Sequence, residues 1–166
     1  MTTSTADRVE FRDAMARLAA AVNILTTDGP AGRCGITLSA VCSVTDTPPT
    51  VLACVNRNSA MHDVFVRNGR VALNVLGGGQ AELARHFSGA TKVAMEERFS
   101  WDVWEPTAQV PVLRDAPVTM TGVLRQQTPM GSHSVLFIGV EEIRVRRDGG
   151  GDGLVYHNRD FHRLGA

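Results

Sequence analysis

The period of the apolar positions changes from segment to segment along the chain. Phe11, Met15, Leu18 and Val22 recur at helical spacing, which predicts an amphipathic helix over residues 10–21. Val22 to Thr27 reads as a strand, broken by Asp28-Gly29-Pro30. Residues 33–45 and 50–56 read as two further strands on either side of Pro48-Pro49. Ser59 is placed to cap a short helix running to about Arg67, which Asn68-Gly69 would end. Val71 to Leu76 is a strand, Gly77-Gly78-Gly79 a loop and residues 80–87 a helix. The segment 88–110, with both tryptophans, reads as irregular. Two longer strands near 117–128 and 133–146 follow, then a turn at Gly149 to Gly153 and a last strand at 154–157. Many strands with few helices predict a mainly β fold with peripheral helices, a barrel rather than a doubly wound parallel sheet. Nothing repeats and no linker interrupts the pattern. Residues 1–8 read as a loose tail and 9–166 as one domain.

Composition narrows the class. Hydrophobic residues at 43% and charged residues at 20% are ordinary for a soluble globular protein. Seventeen basic and seventeen acidic side chains cancel, so net charge makes no case for nucleic acid or a membrane surface. The same neutrality removes a barrier to self-association. Cys34, Cys42 and Cys54 cannot all pair and match no zinc spacing, which suits reduced thiols in an intracellular compartment. No apolar run is long enough to span a bilayer, and the N-terminus lacks the pattern of a secretory signal. A cytoplasmic location is expected.

Each candidate motif has a plain alternative. Gly77-Gly78-Gly79 follows a strand and precedes a helix, where a dinucleotide fingerprint would sit. Glu82 stands where the third glycine is required, so the glycines read as a turn. The five histidines form no metal-binding spacing, and no metal site is expected. His133 enters a long strand after Pro129-Met130-Gly131-Ser132, either meeting a ligand or capping the turn. Gly-x-Ser-x-Gly does not occur, and Cys42 and Cys54 lie in apolar strand contexts that suggest inert core thiols. Glu96-Glu97 reads as solvated surface. The stretch Cys34 to Ser59 remains. Thr37, Ser39, Ser43 and Thr45 alternate with Ile36, Leu38 and Val44, as in a half-exposed strand or in a cradle for a flat polar ligand. Asn56 to Ser59, with Arg57, either offer donors to a phosphate or form an N-cap. No acid–base pair stands out here, so chemistry at this stretch would belong to a bound cofactor.

The combination of FRDAMARLAAAVNILTT at 11–27, CGITLSAVCSVTDTPP at 34–49, NRNSAM at 56–61, ARHFSG at 84–89 and MEERFS at 95–100 is specific. With Gly-x-His at 131–133, Leu-x-Tyr at 154–156 and Phe161-His162, the chain resembles the short-chain flavin reductases. This split-barrel family supplies reduced flavin to two-component monooxygenases. The resemblance covers about residues 11–162. It implies a six-stranded Greek-key split β-barrel, paired as a homodimer, with flavin in a groove beside the dimer interface. Thr37, Leu38, Ser39 and Ala40 match the segment along the isoalloxazine and ribityl chain, and Cys54 joins that lining. Asn56, Arg57, Asn58 and Ser59 match the stretch near the ribityl and phosphate groups, and His86 and Phe87 the phosphate or adenosine end. His133, Tyr156 and Arg159 match the nicotinamide-nucleotide side. Where many relatives have Gly-Asp-His, this chain has Gly131-Ser132-His133, which removes a carboxylate from the nucleotide contacts. The implied activity is reduction of FAD or FMN by NADH, with NADPH as the other possible donor. No catalytic side chain is implied beyond cofactor positioning. Reduced flavin would pass to a separate oxygenase acting on 4-hydroxyphenylacetate or another phenol. The alternative is a flavoprotein that keeps its flavin and serves as an electron carrier or binding module.

Overall fold

The computed structural model describes residues 6–106, 108–147 and 152–165. Residues 1–5 of the expected tail and Gly149 to Gly151 of the expected turn lie outside them. Helix α1 (Arg8–Ala16) starts where Asp7 Oδ1 accepts from the amides of Val9 at 2.7 Å and Glu10 at 3.2 Å. It is shorter than the apolar spacing predicts, because none of its residues is buried and no packing extends it. Phe11, Met15 and Leu18 are exposed on it and just beyond it.

The strands are β1 (Ala20–Ala21), β2 (Asn23–Thr27), β3 (Cys34–Leu38), β4 (Val41–Asp46), β5 (Pro49–Asn56), β6 (Arg70–Val75), β7 (Val118–Met130), β8 (His133–Val145), β9 (Gly153–His157) and β10 (Asp160–Leu164). Three further helices are α2 (His62–Asn68), α3 (Ala81–Phe87) and α4 (Met95–Ser100), with a 3-10 turn at Gly78–Gln80. One antiparallel sheet runs in the order β3-β2-β6-β7-β8-β5-β4, and a smaller one in the order β1-β9-β10. The molecule is mainly β with a few helices.

The main sheet has seven strands with open edges, where six were expected. The cause is local. The predicted strand 33–45 bends at Ser39-Ala40, where the amide of Val41 donates to Ser39 O at 2.9 Å. Its first half pairs with β2, Ile24 opposite Thr37, and its second half with β5, Val41 opposite Ala53. β3 and β4 are thus the two edges of one sheet, only a few residues apart in sequence. The sheet must curl for the chain to reach from one edge to the other.

The core follows from this curl. Leu25, Val55, Phe65, Leu73, Leu136 and Ile138 fill the inside, with α2 contributing Phe65 at 0% exposure. On the other face of β2, Val22 and Ile24 pack with Leu76, Phe87, Trp104 and Leu113. β2 is buried along its whole length because both of its faces are covered. The buried Asn74 holds the second layer down: its Nδ2 donates to Ile24 O at 3.2 Å and its Oδ1 accepts from Leu113 N at 2.8 Å.

Several boundaries differ from the sequence pattern. α2 begins at His62 with Met61 at its N-cap, so Ser59 does not cap it. Ser59 Oγ accepts from Met61 N at 3.3 Å instead, within the turn ahead of the helix. Gly69 ends α2 with φ +69, as Asn68-Gly69 predicts, since that left-handed conformation strains a residue with a Cβ. α4 lies inside the stretch read as irregular. It has no capping side chain and is held by tertiary contacts: Trp104 Nε1 donates to Arg98 O at 2.9 Å, and Phe99 packs against Phe87 and Trp104. β1 and β10 were also not foreseen; each is short and is held by the ladder to β9. Replacing the wholly buried Phe65 leaves a cavity beneath α2. Phe65→Ala is expected to lower the unfolding free energy by about 3–5 kcal/mol. Urea denaturation measures it; a loss under about 1 kcal/mol would show that this end of the core is not tightly packed.

Candidate functional site

A cavity of about 380 Å³ opens between β3, the end of α3 and the β9–β10 hairpin. Thr37, Leu38 and Ser39 line one wall, and Tyr156, Arg159 and Phe161 the other. Thr37 is pinned by its hydroxyl, which donates to Ala84 O at 2.7 Å and ties β3 to α3. Tyr156 and Phe161 face each other across the hairpin ladder, rings edge to face with centroids 5.3 Å apart. Arg159 sits in the hairpin turn at φ +64, after Asn158 at φ +50. Its guanidinium is ion-paired with Asp13 of α1. Arg85 reaches the same cavity with its guanidinium 5.4 Å from the centre of the Phe161 ring. Arg85 and Phe161 were not among the expected site residues. Both lie inside motifs that carry the resemblance, ARHFSG and Phe161-His162, and that was the available signal.

The remaining expected residues lie along β5 and at the tip of the β7–β8 hairpin. The backbone joins them to the first group, since the amide of Cys54 donates to Ala40 O at 3.0 Å. Asn56, at the end of β5, stands opposite His133 in the ladder to β8. Its Oδ1 accepts from Asn58 N at 2.9 Å, which shapes the turn through Ser59. The Arg57 amide donates to Ser132 O at 2.9 Å, and its side chain reaches Gly131 O at 3.4 Å. A second cavity of about 610 Å³ lies here, lined by Arg57, Asn58, His62, Asp63, Gln127 and Ser132. His133 is exposed beside it, with its Nδ1 2.9 Å from Ser132 Oγ. The expected nucleotide side is therefore divided. Tyr156 and Arg159 share the cavity of Thr37 to Ser39, while His133 stands at the hairpin end.

Two expected residues are otherwise engaged. Phe87 is a core residue, buried against Phe99 and Trp104, and it closes on Gly35 so tightly that a Cβ there would lie 2.9 Å from its ring. It turns inward because it ends the apolar stripe of α3. His86 is half-buried and packs against Trp101 with the rings tilted by 59° and centroids 4.8 Å apart. Its Nδ1 meets Thr91 Oγ1 at 2.8 Å, and its Nε2 lies 3.6 Å from a Glu82 carboxylate oxygen. Neither residue presents a free polar atom to the groove.

The thiols also depart from expectation. Cys34 is the buried one, and desolvation pushes its thiol up to about 12. Cys54 is half-buried and its thiol is raised, first by burial and then by the neighbouring Cys42. Cys42 is exposed rather than a core thiol, because β4 is an edge strand paired only with β5. No three His, Cys, Asp or Glu side chains gather into a metal-binding group among the described residues. Likewise, no helix among them is long and apolar enough to cross a membrane.

The groove thus offers small side chains, backbone groups, two arginines, two aromatic rings and one carboxylate, that of Asp160, and no histidine or cysteine lines it among the described residues. A wall of this kind can hold and align a flat, phosphate-bearing ligand. The chain as a whole is similar to known proteins. The flavin reductase like domain model matches residues 15–165. The chain is 54% identical over 155 residues to the 4-hydroxyphenylacetate 3-monooxygenase reductase component of Pseudomonas aeruginosa, covering 93% of this chain and 90% of that one. It is 45% identical over 158 residues to the FMN reductase (NADH) RutF of Pseudomonas syringae pv. syringae, covering 95% and 86%. A solved structure from Haemophilus somnus 129PT, assigned as a flavin reductase, superposes with a TM-score of 0.88 at 38% identity, covering 96% of this chain and all of that one.

Proposed function

The chain belongs to the flavin reductase like domain family, and on that premise we propose that it reduces FAD or FMN at the expense of NADH and releases the reduced flavin to a separate oxygenase. The observation that carries the reading is the groove. It brings Thr37, Leu38 and Ser39 together with Tyr156 and Arg159. A bound flavin would supply the hydride-accepting ring, and NADH the hydride. The protein's part is alignment of the two rings. The wall at Thr37, Leu38 and Ser39, with Ala40 and Cys54 joined to it through the backbone, would lie along the flavin, and Arg85 and Arg159 offer positive charge to a phosphate. Asn56 to Ser59 and His133 hold the hairpin end. A ligand held mostly by backbone and small residues can leave, as delivery to another protein requires. By similarity to the Pseudomonas aeruginosa reductase component, the receiving oxygenase acts on 4-hydroxyphenylacetate or another phenol. The protein works in the cytoplasm as a single folded unit over residues 9–166.

The six-stranded split barrel belongs to the same reading. If Cys34–Asp46 is taken as one bent strand shared by β2 and β5, the main sheet becomes six-stranded and closes through it. The outer face of β5 supports the further reading of a homodimer. Val51, Ala53 and Val55 face the core, yet the opposite face carries Leu52 and Cys54, with Phe137 and Val135 beside them on β8. Val44 on neighbouring β4 is 47% exposed. Apolar residues on both faces of a strand mean that both faces are covered, here by a second copy.

Purified protein is expected to oxidise NADH only when FAD or FMN is supplied, followed by absorbance at the nicotinamide band. Protein that stays yellow through gel filtration and shows no turnover would instead be a fixed-flavin carrier. His133→Ala is expected to raise KM for NADH about fivefold while flavin affinity stays within about twofold. Equal losses in both would make His133 a structural residue. Sedimentation should give a species of twice the 17.9 kDa chain mass, shifted towards monomer by Leu52→Lys; a wild-type monomer would reject the dimer.

A further inference from the structure

A hydrogen-bonded chain with a buried centre at His62 and Ser134 joins α2 to the β7–β8 hairpin close to its turn. Gln127 Nε2 donates to Ser134 Oγ at 3.1 Å, and Ser134 Oγ lies 2.9 Å from His62 Nε2. His62 Nδ1 lies 2.8 Å from Asp63 Oδ1. A carboxylate only accepts, so Nδ1 donates to Asp63. In the neutral ring that tautomer leaves Nε2 to accept from the Ser134 hydroxyl. Four side chains from α2, β7 and β8 are then linked in one direction. The His62 side chain is 7% exposed, whereas that of Asp63 is 79% exposed.

A serine, a histidine and a carboxylate in this order have the connectivity of a hydrolytic triad. Burial decides against that use. Ser134 is 0% exposed, so no substrate carbonyl can reach its Oγ, which also accepts from Gln127. What the chain of bonds does instead is set by where it sits. Ser134 follows His133 directly, and Val55 and Asn56 stand opposite these two in the ladder. The hairpin tip hangs beyond this point and is held otherwise by Arg57, through Ser132 O and Gly131 O. An exposed hairpin end without a buried anchor is free to swing.

We propose that His62 and Ser134 are positioning residues, which lock the β7–β8 hairpin to α2 and so hold His133 in place at the hairpin end. The inference rests on the reading of that end as the nicotinamide-nucleotide side. It adds residues that meet neither flavin nor nucleotide. Because the anchor lies at the hairpin and not at Thr37 to Ser39, its loss is felt by one ligand and not by the other.

The test uses full-length protein with saturating flavin. Ser134→Ala and His62→Ala are each expected to raise KM for NADH about fivefold, the change that one ordinary buried hydrogen bond carries. Flavin affinity by fluorescence quenching and kcat stay within about twofold. His62→Gln keeps an acceptor for the Ser134 hydroxyl and is expected to return KM to near the wild-type value. His62→Ala combined with His133→Ala is expected to be no worse than His133→Ala alone, since one acts through the other. Any of three results in folded protein would overturn the proposal: an unchanged KM, equal losses for flavin and NADH, or multiplying effects in the double variant. An unchanged KM in His133→Ala alone would remove the nucleotide reading beneath it, and a wild type without flavin-dependent turnover would remove the function itself. The underlying reading is thus tested separately from the anchor.

Discussion

The bend at Ser39-Ala40 is the constraint on which the rest of the structure depends. Up to Leu38 the chain is paired with β2; from Val41 it is paired with β5. The two partners lie near opposite ends of the sheet order, so the bend can exist only in a curled sheet. Curling creates an inside for Leu25, Val55, Phe65 and Leu136, and it leaves a rim where Ser39 and Ala40 turn over. At that rim Ser39 O accepts from Val41 N and Ala40 O from Cys54 N, while Ser39 lines the cavity. Core and groove therefore have one geometric origin.

The groove is completed by an element far away in sequence. β9 and β10 form a sheet with β1 and bring Tyr156, Arg159 and Phe161 against β3. Aromatic contact and ladder pairing hold this hairpin, and the ion pair of Arg159 with Asp13 ties it to α1. An exposed ion pair of this sort contributes little to stability. It does orient a guanidinium at the mouth of the cavity, where a phosphate could compete for it.

The long β7–β8 hairpin shows how packing limits residue choice. At Gly122 a Cβ would lie 2.1 Å from Gly139 O, so the two strands come closer there than any side chain permits. The ladder shifts register just at that position, between Thr121 and Gly122, and again before Gln126.

Much of this was legible along the chain. The strand runs 22–27, 50–56, 71–76, 117–128 and 133–146, the helix at 80–87 and the glycine stop after Asn68 all lie close to where the periodicity puts them, because side-chain alternation and turn chemistry are local properties. Family motifs likewise marked Thr37 to Ala40 and Asn56 to Ser59 from residue order alone. Pairing is not local. The same alternating stretch 33–45 is compatible with a straight strand or a bent one, and only β2 and β5 competing for its two halves select the bend. Phe87 and His86 look alike to a motif, as neighbours in one helix. Helix rotation sent Phe87 into the core and His86 onto Trp101. Arg85 and Phe161 entered the cavity because two elements seventy-odd residues apart were folded face to face. Amino-acid order by itself thus determined the elements, the mainly β class and the family. The tertiary structure alone decided which side chains share a cavity, since burial and proximity depend on partners that no local window contains.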